Sequence, residues 1–147
     1  MNIKNPLSSL ANSTDENKQN GLPKIQKKVL VVEDEAPLAE ALKLKLTNEG
    51  YEVEVAGNGV EGLAKISTFS PGVIILDLMM PIMDGKKMLN NLRENPLYKL
   101  LPVIILTNAG TVDNMTETVR YNDASAFLIK SNTSLEEIIN HVKKFLG

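Results

Sequence analysis

Cysteine is absent from this 147-residue chain, and histidine occurs once. Without thiols there can be no disulfide, thiolate nucleophile or sulfur-built zinc site, and a single imidazole cannot form a histidine-rich metal cluster. Any metal here must be held by oxygen. The chain also lacks a dominant charge: sixteen basic against eighteen acidic residues leave a net −2. That balance gives neither the basic footprint of a nucleic-acid binder nor an acidic tail. No apolar run approaches the length of a transmembrane helix. Residues 1–21, rich in Asn and Ser, lack the charged and then apolar order of a secretion signal. The expectation is a cytoplasmic protein that contacts neither membrane nor nucleic acid through this chain.

The length favours one domain with one well-filled core. Residues 1–26 hold scattered apolar side chains without a period of 2 or 3.6, among Asn2, Asn5, Asn12, Asn17, Asn20, Pro6 and Pro23. Such a segment cannot bury enough surface to order itself and reads as a flexible N-terminal tail. Residues 27–147 form the domain. From Lys28 onward, short aliphatic runs alternate with helix-period segments, the sequence form of five successive βα units. The expected strands are 28–33, 51–56, 72–77, 102–107 and 125–130. All but the second are nearly continuous apolar runs, as suits parallel strands covered on both faces. The second alternates Tyr51, Val53, Val55 with Glu52, Glu54, which places it at an edge with one wet face.

Helix starts are marked by Asn58 with Glu61 and by Ser134 with Glu137, each three residues apart as in a capping box. The first helix carries Leu38, Ala41, Leu42 and Leu46 in register. The last carries Leu135, Ile138, Ile139, Val142 and Leu146, a stripe suited to docking on a sheet. His141 lies just off that stripe and reads as a partly exposed surface histidine. A helix near Val112, Met115 and Val119 has the weakest pattern.

Five βα units with right-handed crossovers give a doubly wound (βα)5 sandwich, its five-stranded parallel sheet in the order 2-1-3-4-5. The order reverses between strands 1 and 3, and ligands of open α/β sheets bind beyond the carboxyl ends of the strands at that point. Glu33 and Asp34 end the first strand there, Asp77 the third, Thr107 the fourth and Lys130 the fifth. Taken singly, each has a plain structural explanation. Asp34 could cap the first helix, with Pro37 in its opening turn. Glu33 and Glu35 could be solvated loop acids, Thr107 a turn hydroxyl, and Lys130 a strand-end lysine. For Glu35 the plain reading stands; for the others, joint occurrence at one end of the sheet argues for a site.

Carboxylates crowded together repel unless a cation lies among them, and an oxygen-only, hydrated site suits Mg²⁺. Asp34 and Asp77 would be direct ligands, and Glu33 would act directly or through water. A carboxylate at such a site can also attack phosphorus, giving an aspartyl phosphate. Lys130 and the metal would then offset charge on the phosphoryl oxygens, to which Thr107 would donate.

The blocks "VLVVEDE", "VIILDLMMPIMDG", "LPVIILT" and "AFLIK" resemble, in order and spacing, the receiver domain of two-component response regulators, over about residues 28–146. The resemblance implies a flavodoxin-like fold, a phosphoacceptor at Asp77 and a Mg²⁺ site of Glu33, Asp34, Asp77 and the backbone carbonyl of Met79. It further implies phosphoryl contacts from Thr107 and Lys130. The phosphoryl group would come from a sensor histidine kinase or a phosphotransfer protein. Switching in that family couples Thr107 to an aromatic on the fifth strand, here Phe127, and acts on the face formed by the helix near Val112, the fifth strand and the last helix. Pro81 and Asp84-Gly85 would shape the loop and start the next helix. The protein would be a monomer or a phosphorylation-dependent homodimer.

Three features depart from the family pattern. Ser131 follows the lysine where a cis proline is common; a non-proline cis bond costs about 3 to 4 kcal/mol, so a trans bond and an altered loop are expected. Asn108 stands where a small residue is preferred, on a side from which the phosphoryl group is approached. Met79 and Ala109 offer no acid or amide to orient a water, which predicts slow loss of the phosphoryl group. Two other functions compete. One is a phosphorylation-independent interaction module, supported by Asn108 and Ser131. The other is a haloacid dehalogenase-type phosphohydrolase, which needs an acid where Met79 stands. With residue 1 a methionine and no helix-turn-helix or catalytic segment after Gly147, the expectation is a stand-alone regulator rather than an enzyme; a piece of a larger protein would read the same.

Overall fold

The computed structural model describes residues 27–108 and 124–147. Ala109, the helix expected near Val112, Met115 and Val119, and the segment 1–26 lie outside the described residues. The elements are β1 (Lys28–Val32), α1 (Ala36–Asn48), β2 (Glu52–Ala56), α2 (Gly59–Phe69), β3 (Val73–Leu76) and α3 (Gly85–Glu94). A 3-10 turn (Pro96–Tyr98), β4 (Val103–Thr107), β5 (Ala126–Ile129), a second 3-10 turn (Lys130–Asn132) and α4 (Leu135–Leu146) follow. Among the described residues the strands form one parallel sheet in the order β2-β1-β3-β4-β5, as expected.

Alternate side chains of each strand leave opposite faces of the sheet, and this builds two cores. Val29, Val31, Val73, Ile75, Ile104 and Leu106 pack beneath α1 and α4, against Leu42, Leu46, Ile139 and Val142. Leu30, Val32, Ile74, Leu76, Val103 and Ile105 pack beneath α2 and α3, against Ile66, Met88, Leu89 and Leu92. Each such aliphatic side chain contributes about 1.5 to 3 kcal/mol on full burial. That is why β1, β3 and β4 carry apolar residues at every position but Lys28, which opens β1, and Thr107, which ends β4. β2 is an edge strand with Glu52 exposed, as its alternation requires. β5 closes the other edge of the sheet, as the expected order requires, but all four of its residues are only half-buried, against the expectation of a strand covered on both faces.

The helix ends hold one surprise. Ser134 and Glu137 form a complete capping box at α4. At α2, Asn58 accepts from the Glu61 amide at 2.9 Å, but the Glu61 carboxylate reaches back to the amide of Gly57 rather than to that of the cap. The cap position of α1 is Glu35, which makes no side-chain cap bond, so Asp34 is not an N-cap. α1 and α4 are laced by Lys45–Glu136 at 3.2 Å and Lys143–Glu49 at 3.0 Å. His141 is half-buried at the margin of the α4 stripe.

Candidate functional site

The register of β1 on β3 pairs Val32 with Leu76, so the next residues, Glu33 and Asp77, leave the sheet at the same level. The amide of Asp77 donates to the Val32 carbonyl at 3.0 Å and that of Glu33 to the Ala56 carbonyl at 2.9 Å. Strand pairing thus holds the backbone of both acids. Glu33 and Asp77 are each only 3% exposed, whereas Asp34 is open to solvent. Carboxylate oxygens of the three lie within 4.8 Å of one another, a spacing that suits a shared cation.

Glu33, Asp77 and Lys130 continue the phase of the strand residues that face α1 and α4, and the lysine therefore meets the acids. Its Nζ donates to Asp77 Oδ2 at 3.0 Å, to Glu33 at 3.1 Å and to Glu35 Oε1 at 3.2 Å. Glu35 is 57% exposed at its side chain, yet it is a partner of the lysine and not simply a solvated loop acid. Burial is the largest single influence on Lys130 and works against its charge. Asp77 and Glu33 together outweigh it, holding the ammonium above its usual range. Burial dominates at Glu33, whose carboxyl is pushed up to about 7; the Glu35 amide at 3.0 Å and Lys130 only partly restrain it, and Asp77 adds to the rise. One ammonium therefore does not balance these acids, and a divalent cation would.

The loop after β3 holds the second oxygen of Asp77: the Met79 amide donates to Oδ1 at 3.1 Å. Asp84 caps α3, accepting from the Lys87 amide at 2.8 Å, and the Gly85 amide donates to the Leu78 carbonyl at 3.1 Å. A β-carbon on Gly85 would stand 2.1 Å from the Asp77 carbonyl oxygen, so only glycine lets α3 start this close to the acid. Between them, Met79, Met80 and Pro81 join Asp34 and Asp84 around an open hollow of about 350 Å³. Ile82 adopts a φ of 69°, a conformation that β-branched residues rarely hold, with its side chain in solvent.

Thr107 and Phe127 follow the opposite phase, toward the α2 and α3 layer. Thr107 is fully buried, and among the described residues its Oγ1 has no hydrogen-bond partner. A buried hydroxyl left without a partner costs about 1 to 3 kcal/mol. Phe127 is half-buried against the same layer, opposite Ile105 and one step along the sheet from Thr107. The bond from Lys130 to Ser131 is trans, and residues 130–132 form a tight 3-10 turn in place of a proline-bearing loop. The turn is pinned by Thr133 Oγ1 donating to the Ile129 carbonyl at 2.8 Å. Lys130 still reaches Asp77. Asn108, at the end of β4, is exposed.

Glu33, Asp34, Asp77, Thr107 and Lys130 thus lie at the carboxyl end of the sheet, with Glu33, Asp34, Asp77 and Lys130 in one cluster and Thr107 on the opposite phase, whereas Phe127 sits within β5, opposite the middle of β4. The missed member is Glu35. Its only sequence signal is its place two residues after Glu33, where a strand gives way to a helix.

The family model of the response regulator receiver domain matches residues 29–143. Among curated proteins, the transcriptional regulatory protein TrcR of Mycobacterium tuberculosis is 36% identical over 81% of this chain and 45% of its own length. The response regulator MprA of Mycobacterium avium is 36% identical over 81% of this chain and 50% of its own. The chain spans about half the length of these relatives. Among solved structures, the receiver domain of the Francisella response regulator 1452 superposes with a TM-score of 0.72 at 34% identity, covering 81% of this chain and 95% of that one. The chemotaxis protein CheY4 of Vibrio cholerae does so with 0.74 at 30% identity, covering 82% and 99%.

Proposed function

The chain belongs to the response regulator receiver domains of two-component systems, and from that premise we propose that it accepts a phosphoryl group on Asp77. The donor is a sensor histidine kinase or a phosphotransfer protein. The observation that carries this reading is the ammonium of Lys130, 3.0 Å from an Asp77 that shares its site with two further acids. A carboxylate oxygen of Asp77 attacks phosphorus, the bond to the donor nitrogen breaks, and the imidazole leaves with its electron pair. Lys130, already on Oδ2, follows the developing charge on the phosphoryl oxygens.

The cation is Mg²⁺, held by Glu33, Asp34, Asp77 and the main-chain carbonyl of Met79; when bound it supplies charge neutralisation at the phosphoryl oxygens. The orphaned hydroxyl of Thr107 gains a partner by moving toward the phosphoryl group, and Phe127 repacks behind it. A surface that includes β5 and α4 passes the change to a downstream protein. The receiver unit is residues 27–147, with residues 1–26 outside it. The protein works in the cytoplasm, as a monomer or a phosphorylation-dependent homodimer, and is not an enzyme beyond its own phosphorylation and dephosphorylation. With Met79 supplying no acid or amide side chain, the phosphoryl group is lost slowly. An aspartyl phosphate that decays within seconds would contradict that point.

A phosphorylation-independent module is the second reading, resting on Asn108 and Ser131. The intact turn at 130–132, with the lysine delivered to Asp77, speaks against it. Intact-mass spectrometry after incubation with acetyl phosphate distinguishes them. Asp77 as acceptor requires a Mg²⁺-dependent gain of one phosphoryl group that Asp77→Asn abolishes. No gain, under conditions that modify a known receiver, would leave the phosphorylation-independent module.

A further inference from the structure

At the end of the sheet opposite the acids, α2 and the corner between α3 and β4 leave an apolar cleft. Pro71, Pro96, Leu97, Tyr98, Leu100 and Leu101 help to line a cavity of about 320 Å³ there. A second cavity, of about 260 Å³ between α2 and α3, shares Ile66 and Tyr98 with the first and is more mixed, with Leu63 and Leu92 beside the polar Ser67, Asn91 and Asn95. Leu97 and Leu100, on the rim, are 81% and 92% exposed. Two solvent-facing leucines at the mouth of an apolar hollow leave surface whose burial would be favourable. The first cavity offers no convergent set of charged or amide side chains to orient a small polar ligand. Aliphatic side chains of a peptide suit it.

The beginning of β1 abuts the same wall. The Gly72 amide donates to the Lys28 carbonyl at 2.8 Å, and Lys28 Nζ donates to the Phe69 carbonyl at 3.3 Å while lying 5.5 Å over the Phe69 ring. Residues 70 and 71, between those two contacts, line the cleft. Lys28 thus contacts the residues on either side of two that line the cleft, and the nearest aliphatic residues upstream of it in the sequence are Leu22 and Ile25. At about 3.3 to 3.6 Å per extended residue, Leu22 stays within about 20 Å of Lys28.

We propose that residues 22–25 of this chain dock in the cleft, Leu22 and Ile25 filling the two cavities on either side of Tyr98. A segment too poor in apolar residues to fold alone gains order only on such a surface. Tethering raises its local concentration to the millimolar range, so a contact too weak to hold a free peptide is still occupied.

The absence of cysteine makes the test clean. Asn20→Cys carries a nitroxide, and amide signals of the complete, isotope-labelled chain are compared with the label oxidised and reduced. The expected result is loss of intensity at residues 97–101. That intensity returns when Leu22→Ser and Ile25→Ser are added, and again with Leu100→Ser, a rim change at a residue too exposed to disturb the fold. Lys28 and Gly72, close to the label through the chain itself, stay attenuated in every variant. Residues 97–101 unaffected from the start, or equally attenuated in all variants, would overturn the proposal. So would attenuation in a mixture of spin-labelled and isotope-labelled chains, because a second copy would then be the occupant.

Discussion

Thr107 shows how a single residue can be poorly placed for stability. Among the described residues its buried hydroxyl has no partner, so Thr107→Val should leave the unphosphorylated protein as stable or more stable, by about 1 kcal/mol. The same change should suppress the spectral response to phosphorylation. Urea melts and amide shifts on the same variant separate the two effects. Glu33 is strained electrostatically rather than sterically. Its carboxyl is raised from 4.5 to about 7 in the fold, so the folded state binds the extra proton between those values. The stability this contributes is complete below about pH 4.5 and is lost as pH rises through about 7. Metal-free protein should therefore have a melting temperature that falls from about pH 5 to about pH 8, and Glu33→Gln should flatten that slope. Mg²⁺ affinity should run the other way, weakening below about pH 7 as protons compete for the ligand. Calorimetry with and without the ion reads both trends. Glu33, Asp77 and Lys130 could be placed in advance because strand ends and period 2 define them. Glu35 could not, because its contact depends on where a lysine 95 residues away comes to rest.

At the scale of elements, the start of α3 sets the tightest tolerance. Gly85→Ala would drive a β-carbon into the carbonyl of Asp77, and overpacking of this kind costs about 1 to 3 kcal/mol. The denaturation midpoint should drop with little change in slope. Phosphorylation by acetyl phosphate should slow as well, since the displaced backbone carries Asp77, the proposed acceptor. A midpoint equal to that of the parent would show that the loop yields at no cost. Asp84-Gly85 was legible as a helix start from a turn dipeptide and a cap; the clearance of the glycine was not, because it depends on how α3 packs back on β3. Apolar runs likewise located β1, β3 and β4 to within a residue. The run in β5 looked the same, yet that strand stays half-buried. Local composition records what a strand can bury rather than how many neighbours it finds.

For the whole molecule, three carboxylates within 4.8 Å of one another would make a bound cation a source of stability. A ligand present at 100 times its dissociation constant stabilises the fold by about 2.7 kcal/mol. Saturating Mg²⁺ should accordingly raise the melting temperature by several degrees, a chelator should reverse the gain, and Asp34→Asn should blunt it. Equal melting temperatures with and without the ion would contradict a metal site at these acids. The sheet order was legible because alternating units with right-handed crossovers leave few arrangements. Lys130 and Glu33, joined across 97 residues of chain, carry a consequence for biogenesis. Closing a contact this distant in sequence carries a loop-closure cost that the paired strands must first offset. A chain in which β5 has not yet paired therefore lacks Lys130 beside Glu33 and Asp77, so the proposed acceptor site is complete only once the last described strand is in place.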